Sequence, residues 1–253
     1  MDNFGKTYSK YYDLLYKDKN YQEEYNYICG LIKKYANNSK KNILDIGCGT
    51  GKHLCFFKKD GYTVSGVDVS ENMIYEAKKC LQQEDDLICC KASEFKFNKK
   101  FETIISIFHV MSYQTENDEL EKVFLNVSEH LTDAGLFIFD FWYGPAVLTD
   151  PPVVKIKRLE DNEVKITRIA EPVMCYNENI VDVNFEVMIE NKRTQLLEKL
   201  SETHKMRYLF LPEIELFANK NNFEVLNMYK WFTEESLSDT SWYGLAIFKR
   251  RCF

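Results

Sequence analysis

N-I-L-D-I-G-C-G-T-G, at residues 42–51, is the part of the sequence from which the fold follows. Ile43, Leu44 and Ile46 form the short apolar run that a buried parallel strand needs. Three glycines follow at a spacing of two, and residues 52–59, K-H-L-C-F-F-K-K, then change to a helical pattern. A strand, a glycine turn and a helix start place backbone N–H groups and the positive end of a helix beside a nucleotide-like ligand.

An acid that follows the next strand pattern supports this interpretation. Residues 62–67 read Y-T-V-S-G-V and lead into Asp68. In a β-α-β unit, an acid at the tip of the second strand can bind both hydroxyls of a ribose. The glycine loop is G-x-G-x-G, with Lys52 and His53 where a nicotinamide dehydrogenase needs its last glycine, so that class is disfavoured. The structural alternative is a glycine turn that only shapes a tight connection.

D-I-G-C-G-T-G together with Asp68 resembles motif I and the acidic loop of the class I S-adenosyl-L-methionine (SAM)-dependent methyltransferases. The resemblance implies an α/β, Rossmann-like sheet of seven strands that binds SAM and leaves S-adenosylhomocysteine as the product. A helix is expected to begin at Ser70, a good N-cap, with Met73 facing the ligand. The contacts to SAM that the resemblance implies on these elements are Gly47, Cys48, Gly49, Gly51, Asp68, Val69 and Met73.

The remaining apolar runs predict the rest of the sheet and an insertion. Strands are predicted at residues 87–91, 101–108, 136–141, 223–228 and 243–249, and helices at 118–131 and 212–221. Strand-like runs separated by Asp and Asn turns predict an antiparallel β insertion between strands five and six, at 153–159, 164–169, 180–189 and 203–210. We expect an N-terminal helical lid segment over 1–40, a SAM-binding core over 41–150 and 209–253, and the insertion over 151–208 on the substrate side.

Two positions depart from the patterns of related methyltransferases. The family usually has an acid for the adenine amino group after strand three, where this chain has Ala92 and Ser93. The resemblance implies that Ala92 and Ser93 lie beside the cofactor. Two substitutes for the acid are open: the Ser93 hydroxyl, which can donate or accept a hydrogen bond, and the carboxylate of Glu94, which can reach the adenine. After strand four, F-H-V-M-S-Y replaces the N-P-P-Y of enzymes that methylate planar amide or adenine nitrogens, which disfavours those substrates. Phe108 at this strand tip is expected to contact SAM.

The N-terminal stretch at residues 11–21, Y-Y-D-L-L-Y-K-D-K-N-Y, is rich in tyrosine. It resembles the segment that covers the cofactor in methyltransferases acting on amino sugars. The resemblance makes Tyr12 and Tyr21 candidate cofactor or lid residues. For residues 25–32 we expect a purely structural role, as an amphipathic helix packed on the sheet.

His109 is the candidate catalytic base, because it alone among four histidines falls at a strand tip beside the expected methyl position. The alternative is a histidine that walls the pocket. Trp142 and Tyr143 follow strand five at the same edge and are candidate substrate residues, since aromatic rings can cover a sugar. A packed hinge for the insertion explains the pair equally well. No clustered acids suggest a metal.

The net charge, the apolar runs and the cysteines limit the classes of partner and the cellular location that we expect. The net charge is −6 with scattered Lys and Arg, which argues against nucleic acid. No apolar run is long enough to span a membrane or to form a signal peptide, so we expect a cytoplasmic protein, monomeric or homodimeric. The eight cysteines lack zinc spacing and are expected to be reduced and buried, for example Cys55, Cys89 and Cys90.

The order of parts along the whole chain resembles the enzymes that N-methylate nucleotide-linked amino sugars. This implies a small-molecule substrate, a sugar or nucleotide-linked sugar methylated on nitrogen or oxygen, in polysaccharide or glycosylated-metabolite biosynthesis. One alternative is O-methylation of another small phosphorylated surface-polysaccharide precursor. Another is a non-catalytic SAM-binding module, an alternative that the missing acid at residues 92–93 leaves open and that the intact glycine loop and Asp68 disfavour.

Overall fold

The computed structural model describes Leu15 and residues 19–36, 41–81 and 86–252. The first half contains α1 (Tyr21–Tyr35), β1 (Asn42–Ile46), α2 (Lys52–Lys59), β2 (Thr63–Asp68), α3 (Glu71–Cys80), β3 (Asp86–Cys89) and β4 (Phe101–Ser106). A 3₁₀ turn (Val110–Tyr113) leads to α4 (Asn117–His130), β5 (Leu131–Tyr143) and α5 (Gly144–Thr149). The remaining elements are β6 (Lys155–Glu160), β7 (Val164–Cys175), β8 (Ile180–Asn191), β9 (Leu197–Leu209), α6 (Leu211–Lys220), β10 (Phe223–Lys230) and β11 (Tyr243–Arg250).

The central sheet confirms the predicted seven-stranded arrangement. β3, β2, β1, β4 and β5 lie side by side and parallel, and β11 runs antiparallel between β5 and β10. β1 therefore lies at the point where the strand order reverses, with β2 on one side and β4 on the other. Ligands of open α/β sheets bind at the carboxyl ends of the strands at such a point.

The predicted antiparallel strands between β5 and β10 are present as the meander β6-β7-β8-β9. β9 joins the central sheet through two parallel residue pairs with β5, Trp142 with Tyr208 and Tyr143 with Leu209. β9 begins at Leu197, upstream of the predicted residue 203. Its first half is mostly exposed and charged, so it has no apolar face to show in the sequence, and pairing with β8 holds it extended.

Apolar layers cover both faces of the central sheet. α4 and α6 pack on one face around an aromatic cluster that includes Phe124, Phe137 and Phe248. α1 and α2 pack on the other face, where Ile28 and Phe57 are buried. β5 starts at Leu131 rather than at the predicted residue 136, because Leu131 already pairs with Phe101 before the register shifts.

The cysteines differ from the prediction at one pair. Cys55 on α2 and Cys80 on α3 form a disulfide, because the two helices lie side by side. The expectation of a reduced thiol is wrong for this pair. Cys89 is exposed, so the expected burial is wrong for it, and its thiol donates to the Val69 carbonyl at 3.4 Å; Cys90 is half-buried. Within the described ranges, no helix is both long and apolar enough to cross a membrane.

Candidate cofactor and substrate site

A cavity of about 730 Å³ opens at the carboxyl ends of β1, β2 and β4. Gly47, Gly49 and Asp68 line it at the β1 and β2 end. Its wall continues across the tip of β4 and onto the inner surface of β7, β8 and β9. One cavity therefore joins the glycine loop to the antiparallel meander.

The glycine loop has the backbone geometry that only glycine adopts readily. Gly47, Gly49 and Gly51 have φ angles of 76°, 54° and 75°. A Cβ atom at Gly49 would meet no heavy atom within 4 Å, so this position borders open space. Cys48 is buried, and Gly51 is the N-cap of α2. The cavity wall contains Gly47 and Gly49 but not Cys48 or Gly51.

Asp68 is anchored by two backbone donors. The Gly49 N–H donates to Oδ2 and the Ser70 N–H to Oδ1, each at 2.9 Å. An ionised carboxylate is an acceptor only, with about four acceptor sites, which is the chemistry that the two hydroxyls of a ribose require. An open glycine bend beside an anchored acid fits the SAM that the sequence predicts.

The wall beside β3 contains Val69, Cys90 and Ala92, and Met73 of α3 lies on the same cavity. Ser93 does not line the cavity: its hydroxyl donates to Glu119 Oε2 at 2.7 Å. Glu119 does line it, from the first turn of α4. Sequence reasoning missed Glu119, whose carboxylate lies near the position of the missing acid.

Phe108 and His109 lie directly after β4 in left-handed backbone conformations, with φ angles of 74° and 65°. Such conformations cost non-glycine residues on the order of 1–3 kcal/mol and cluster at functional sites. The His109 N–H donates to Asp140 Oδ1 at 2.7 Å, and Nδ1 lies 2.9 Å from Oδ2, close enough for an ion pair although not aligned for a hydrogen bond. His109 lines the cavity, and Nε2 is the ring nitrogen that remains for a substrate.

Trp142 and Tyr143, the last two residues of β5, lie on opposite faces of the sheet, as neighbours in a strand do. Trp142 lines the cavity with Trp242, their rings 5.3 Å apart, whereas Tyr143 packs beside Phe141 and does not reach the cavity. Tyr243 pairs with Trp142 across the sheet and stacks on His109 at 4.5 Å. The predicted strand ended at residue 141, whereas β5 continues through Tyr143, and its register decides which of the two rings reaches the cavity.

Of the two N-terminal tyrosines that are candidate cofactor or lid residues, the structure describes Tyr21. Tyr12 lies outside the described residues. Tyr21, the first residue of α1, packs against His53 with the ring centroids 5.3 Å apart, and it is not part of the cavity wall. Lys19 lies beside it with Nζ 3.4 Å from the Phe108 ring centre and 3.1 Å from Glu24 Oε2, and burial lowers the pKa of Lys19.

A second histidine of the cavity belongs to a hydrogen-bonded chain that sequence reasoning missed. The Tyr113 hydroxyl lies 2.8 Å from Nδ1 of His204, and Nε2 of His204 lies 3.2 Å from Oε2 of Glu202. Tyr113 and His204 both line the cavity, with Phe185 packed edge-on against the imidazole. Among the described residues, no cluster of three or more His, Cys, Asp or Glu could hold a metal ion.

Comparison with known proteins agrees with this geometry. Residues 43–135 match the sequence profile of the Methyltransferase domain family. The chain is 28% identical to the dTDP-3-amino-3,4,6-trideoxy-alpha-D-glucopyranose N,N-dimethyltransferase of Streptomyces venezuelae, covering 81% of this chain and 84% of that protein.

Solved structures share the fold over almost the whole chain. A SAM-dependent methyltransferase from Clostridium acetobutylicum superposes with a TM-score of 0.80 at 21% identity, covering 96% of both chains. The sugar N-methyltransferase KedS8 from Streptoalloteichus superposes with a TM-score of 0.82 at 17% identity, covering 95% of this chain and 93% of that one. Residues 43–135 are therefore a methyltransferase domain, and the chain is a methyltransferase of the class I fold that uses SAM as its cofactor.

Proposed function

We propose that this enzyme transfers the methyl group of SAM to the amino group of a nucleotide-linked sugar, in the cytoplasm, for polysaccharide or glycosylated-metabolite biosynthesis. The observation that carries the proposal is the continuity of one cavity from the glycine loop and Asp68 to Trp142 and the meander. A donor and an acceptor can therefore meet inside it at the tip of β4. Three relatives of this chain are named as N,N-dimethyltransferases of dTDP-linked amino sugars, and this supports the same class of acceptor.

The acceptor end of the cavity has the chemistry that a nucleotide-linked sugar needs. The indoles of Trp142 and Trp242 offer apolar faces to a sugar ring. Arg168 and Lys155, both on the cavity wall, offer positive charge to a diphosphate. The Arg168 guanidinium lies 5.2 Å above the Phe185 ring, a contact that helps to hold its plane in place.

Bound SAM supplies an electrophilic methyl group. We assign the binding of its ribose to Asp68 and the accommodation of its tail to the Gly47–Gly49 bend. His109, held by Asp140, accepts a proton at Nε2 from the acceptor nitrogen, because an amine must be neutral to act as the nucleophile. Trp142 and Tyr243 exclude water and restrict the approach of the acceptor.

The test is the formation of S-adenosylhomocysteine with three matched acceptors: a dTDP-linked amino sugar, the same nucleotide sugar with a hydroxyl in place of the amine, and the free amino sugar. We expect turnover with the first and little or none with the other two. Preferred turnover of the hydroxyl compound would show O-methylation of a phosphorylated precursor. Turnover of the free amino sugar alone would contradict the nucleotide-linked acceptor.

A further inference from the structure

The cavity wall contains a carboxylate that can replace the acid missing after β3. Among the described residues, three acids line the cavity: Asp68, Glu116 and Glu119. Asp68 lies beside the glycine loop, and Glu116 is exposed at the N-cap of α4. Glu94, the carboxylate that the sequence offered, is exposed, has Oε1 3.5 Å from Nζ of Lys91, and is not part of the wall. Glu119 is half-buried and is the acid of the wall that contacts the segment after β3.

A continuous stretch of wall joins Asp68 to Glu119. The Cys90 N–H donates to the Asp68 carbonyl at 3.0 Å, so the segment after β3 begins beside the tip of β2. Cys90 and Ala92 line the cavity, and the Ser93 hydroxyl donates to Glu119 Oε2 at 2.7 Å. Because β2 lies between β1 and β3, Asp68 separates the glycine loop from this stretch. With the ribose on Asp68 and the tail of SAM on the glycine loop, the adenine takes the side that leads to Glu119.

Two donors hold the Glu119 carboxylate. Lys122 Nζ, one turn further along α4, donates to Oε1 at 2.8 Å, and the Ser93 hydroxyl donates to Oε2. The hydrogen bonds from Lys122 and then Ser93 lower the pKa of Glu119, so the group is ionised at neutral pH. An ionised carboxylate only accepts hydrogen bonds and has about four acceptor sites. A ligand atom that meets Glu119 should therefore carry an N–H or O–H, and a carbonyl oxygen in the same place would be repelled.

We propose that Glu119 accepts a hydrogen bond from the exocyclic amino group of the adenine of SAM and makes the site selective for adenosyl over inosyl ligands. Ser93 and Lys122 act through Glu119 as positioning residues. The acid that the family usually has after strand three is thereby replaced by an acid from α4. This inference concerns the methyl donor alone and requires no acceptor, so it does not depend on the proposed function.

Isothermal titration with S-adenosylhomocysteine and S-inosylhomocysteine measures this selectivity. The inosyl compound has a carbonyl oxygen in place of the adenine amino group and a proton on the neighbouring ring nitrogen. We expect the wild-type enzyme to bind S-adenosylhomocysteine at least about ten-fold more tightly, the low end of the range for a hydrogen bond to a charged group.

Glu119→Gln keeps the shape of the side chain and removes its charge, and its amide N–H₂ can donate to the carbonyl oxygen of the inosyl base. We expect the Kd for S-adenosylhomocysteine to rise about ten-fold, while the Kd for S-inosylhomocysteine stays the same or falls. Ser93→Ala should lower the preference in the same direction but by less, because Lys122 still holds Oε1.

Asp118→Asn is the matched control. Asp118 is an exposed carboxylate in the same first turn of α4 and is not part of the cavity wall, so this variant removes an equal charge from the same helix end. It should keep the wild-type preference. An unchanged preference in Glu119→Gln would overturn the proposal, and so would an equal loss in Asp118→Asn. Since the readout is ligand binding, failure of every sugar acceptor in the turnover assay would contradict the proposed function and leave this result standing.

Discussion

Asp140 holds His109 at two points, through the backbone N–H at 2.7 Å and beside the ring Nδ1 at 2.9 Å. One buried carboxylate thus stabilises the left-handed turn after β4 and orients the imidazole on it.

Asp140→Asn and Asp140→Ala should separate these two roles. Asparagine keeps an acceptor for the His109 N–H but removes the charge, so we expect kcat to fall about 10- to 100-fold with little change in unfolding. Alanine also leaves the N–H without its partner, which should lower the free energy of unfolding by a further 1–3 kcal/mol or so. Urea denaturation and steady-state kinetics measure the two effects. Equal stability of both variants would contradict the backbone role.

Gly49→Ala tests the cofactor cradle, and Gly61→Ala is its control. Both glycines have positive φ angles, 54° and 80°, and neither has a heavy atom within 4 Å of an added Cβ. The backbone strain should therefore be comparable, on the order of 1 kcal/mol. Only the Gly49 methyl group would project where SAM binds, so isothermal titration should show weaker SAM binding in Gly49→Ala alone. Equal SAM affinity in the two variants would argue against the glycine loop as the SAM site.

Arg168→Ala tests the phosphate contact. A charged hydrogen bond contributes about 1.5–3 kcal/mol, so KM for a dTDP-linked amino sugar should rise about 10- to 100-fold. Any turnover of the free amino sugar should be the same in Arg168→Ala and wild type, because that compound lacks the diphosphate. Lys165→Ala, an exposed cation of the same strand, is the control. Unchanged KM in Arg168→Ala would place the diphosphate elsewhere.

Asp45→Asn tests whether the buried carboxylate on β1 destabilises the native state at neutral pH. Burial raises the pKa of Asp45 well above its ordinary value, and the nearby Asp68 charge adds to the shift. At pH values between the unfolded and the folded pKa of Asp45, the native state binds more protons than the unfolded chain. The contribution of Asp45 to the free energy of unfolding therefore falls as the pH rises through this range. We expect Asp45→Asn to raise the melting temperature at neutral pH and to flatten that fall. Asp86→Asn, on an exposed carboxylate, should do neither.

The parts of the fold that depend on residues close together in the sequence could be predicted from it. The glycine turn and Asp68 follow from a strand–turn–helix pattern within a short stretch, and the structure confirms the sheet around them. The separation of Trp142 from Tyr143 needed the register of β5, which the end of an apolar run does not reveal. Charged, exposed strands such as the start of β9 carry no apolar alternation and were predicted too short.

Long-range pairings lay beyond the sequence pattern. Tyr113 and His204 are 91 residues apart and meet only because β9 returns to the tip of β4. Cys55 and Cys80 belong to different helices, and neither lies in a spacing that suggests a bridge. Sequence reasoning therefore located His109 at its strand tip but missed Asp140 as its partner.

The two-rung ladder between β5 and β9 is the strand pairing that attaches the meander to the central sheet in the described part of the chain. Because only two residue pairs join β5 to β9, the meander can lengthen, shorten or change its charges without disturbing the hydrogen-bond register of β1 to β5, whose strand ends form the proposed SAM site. Enzymes with this fold can therefore evolve toward new acceptors through changes in the meander, while the residues that bind the methyl donor stay the same.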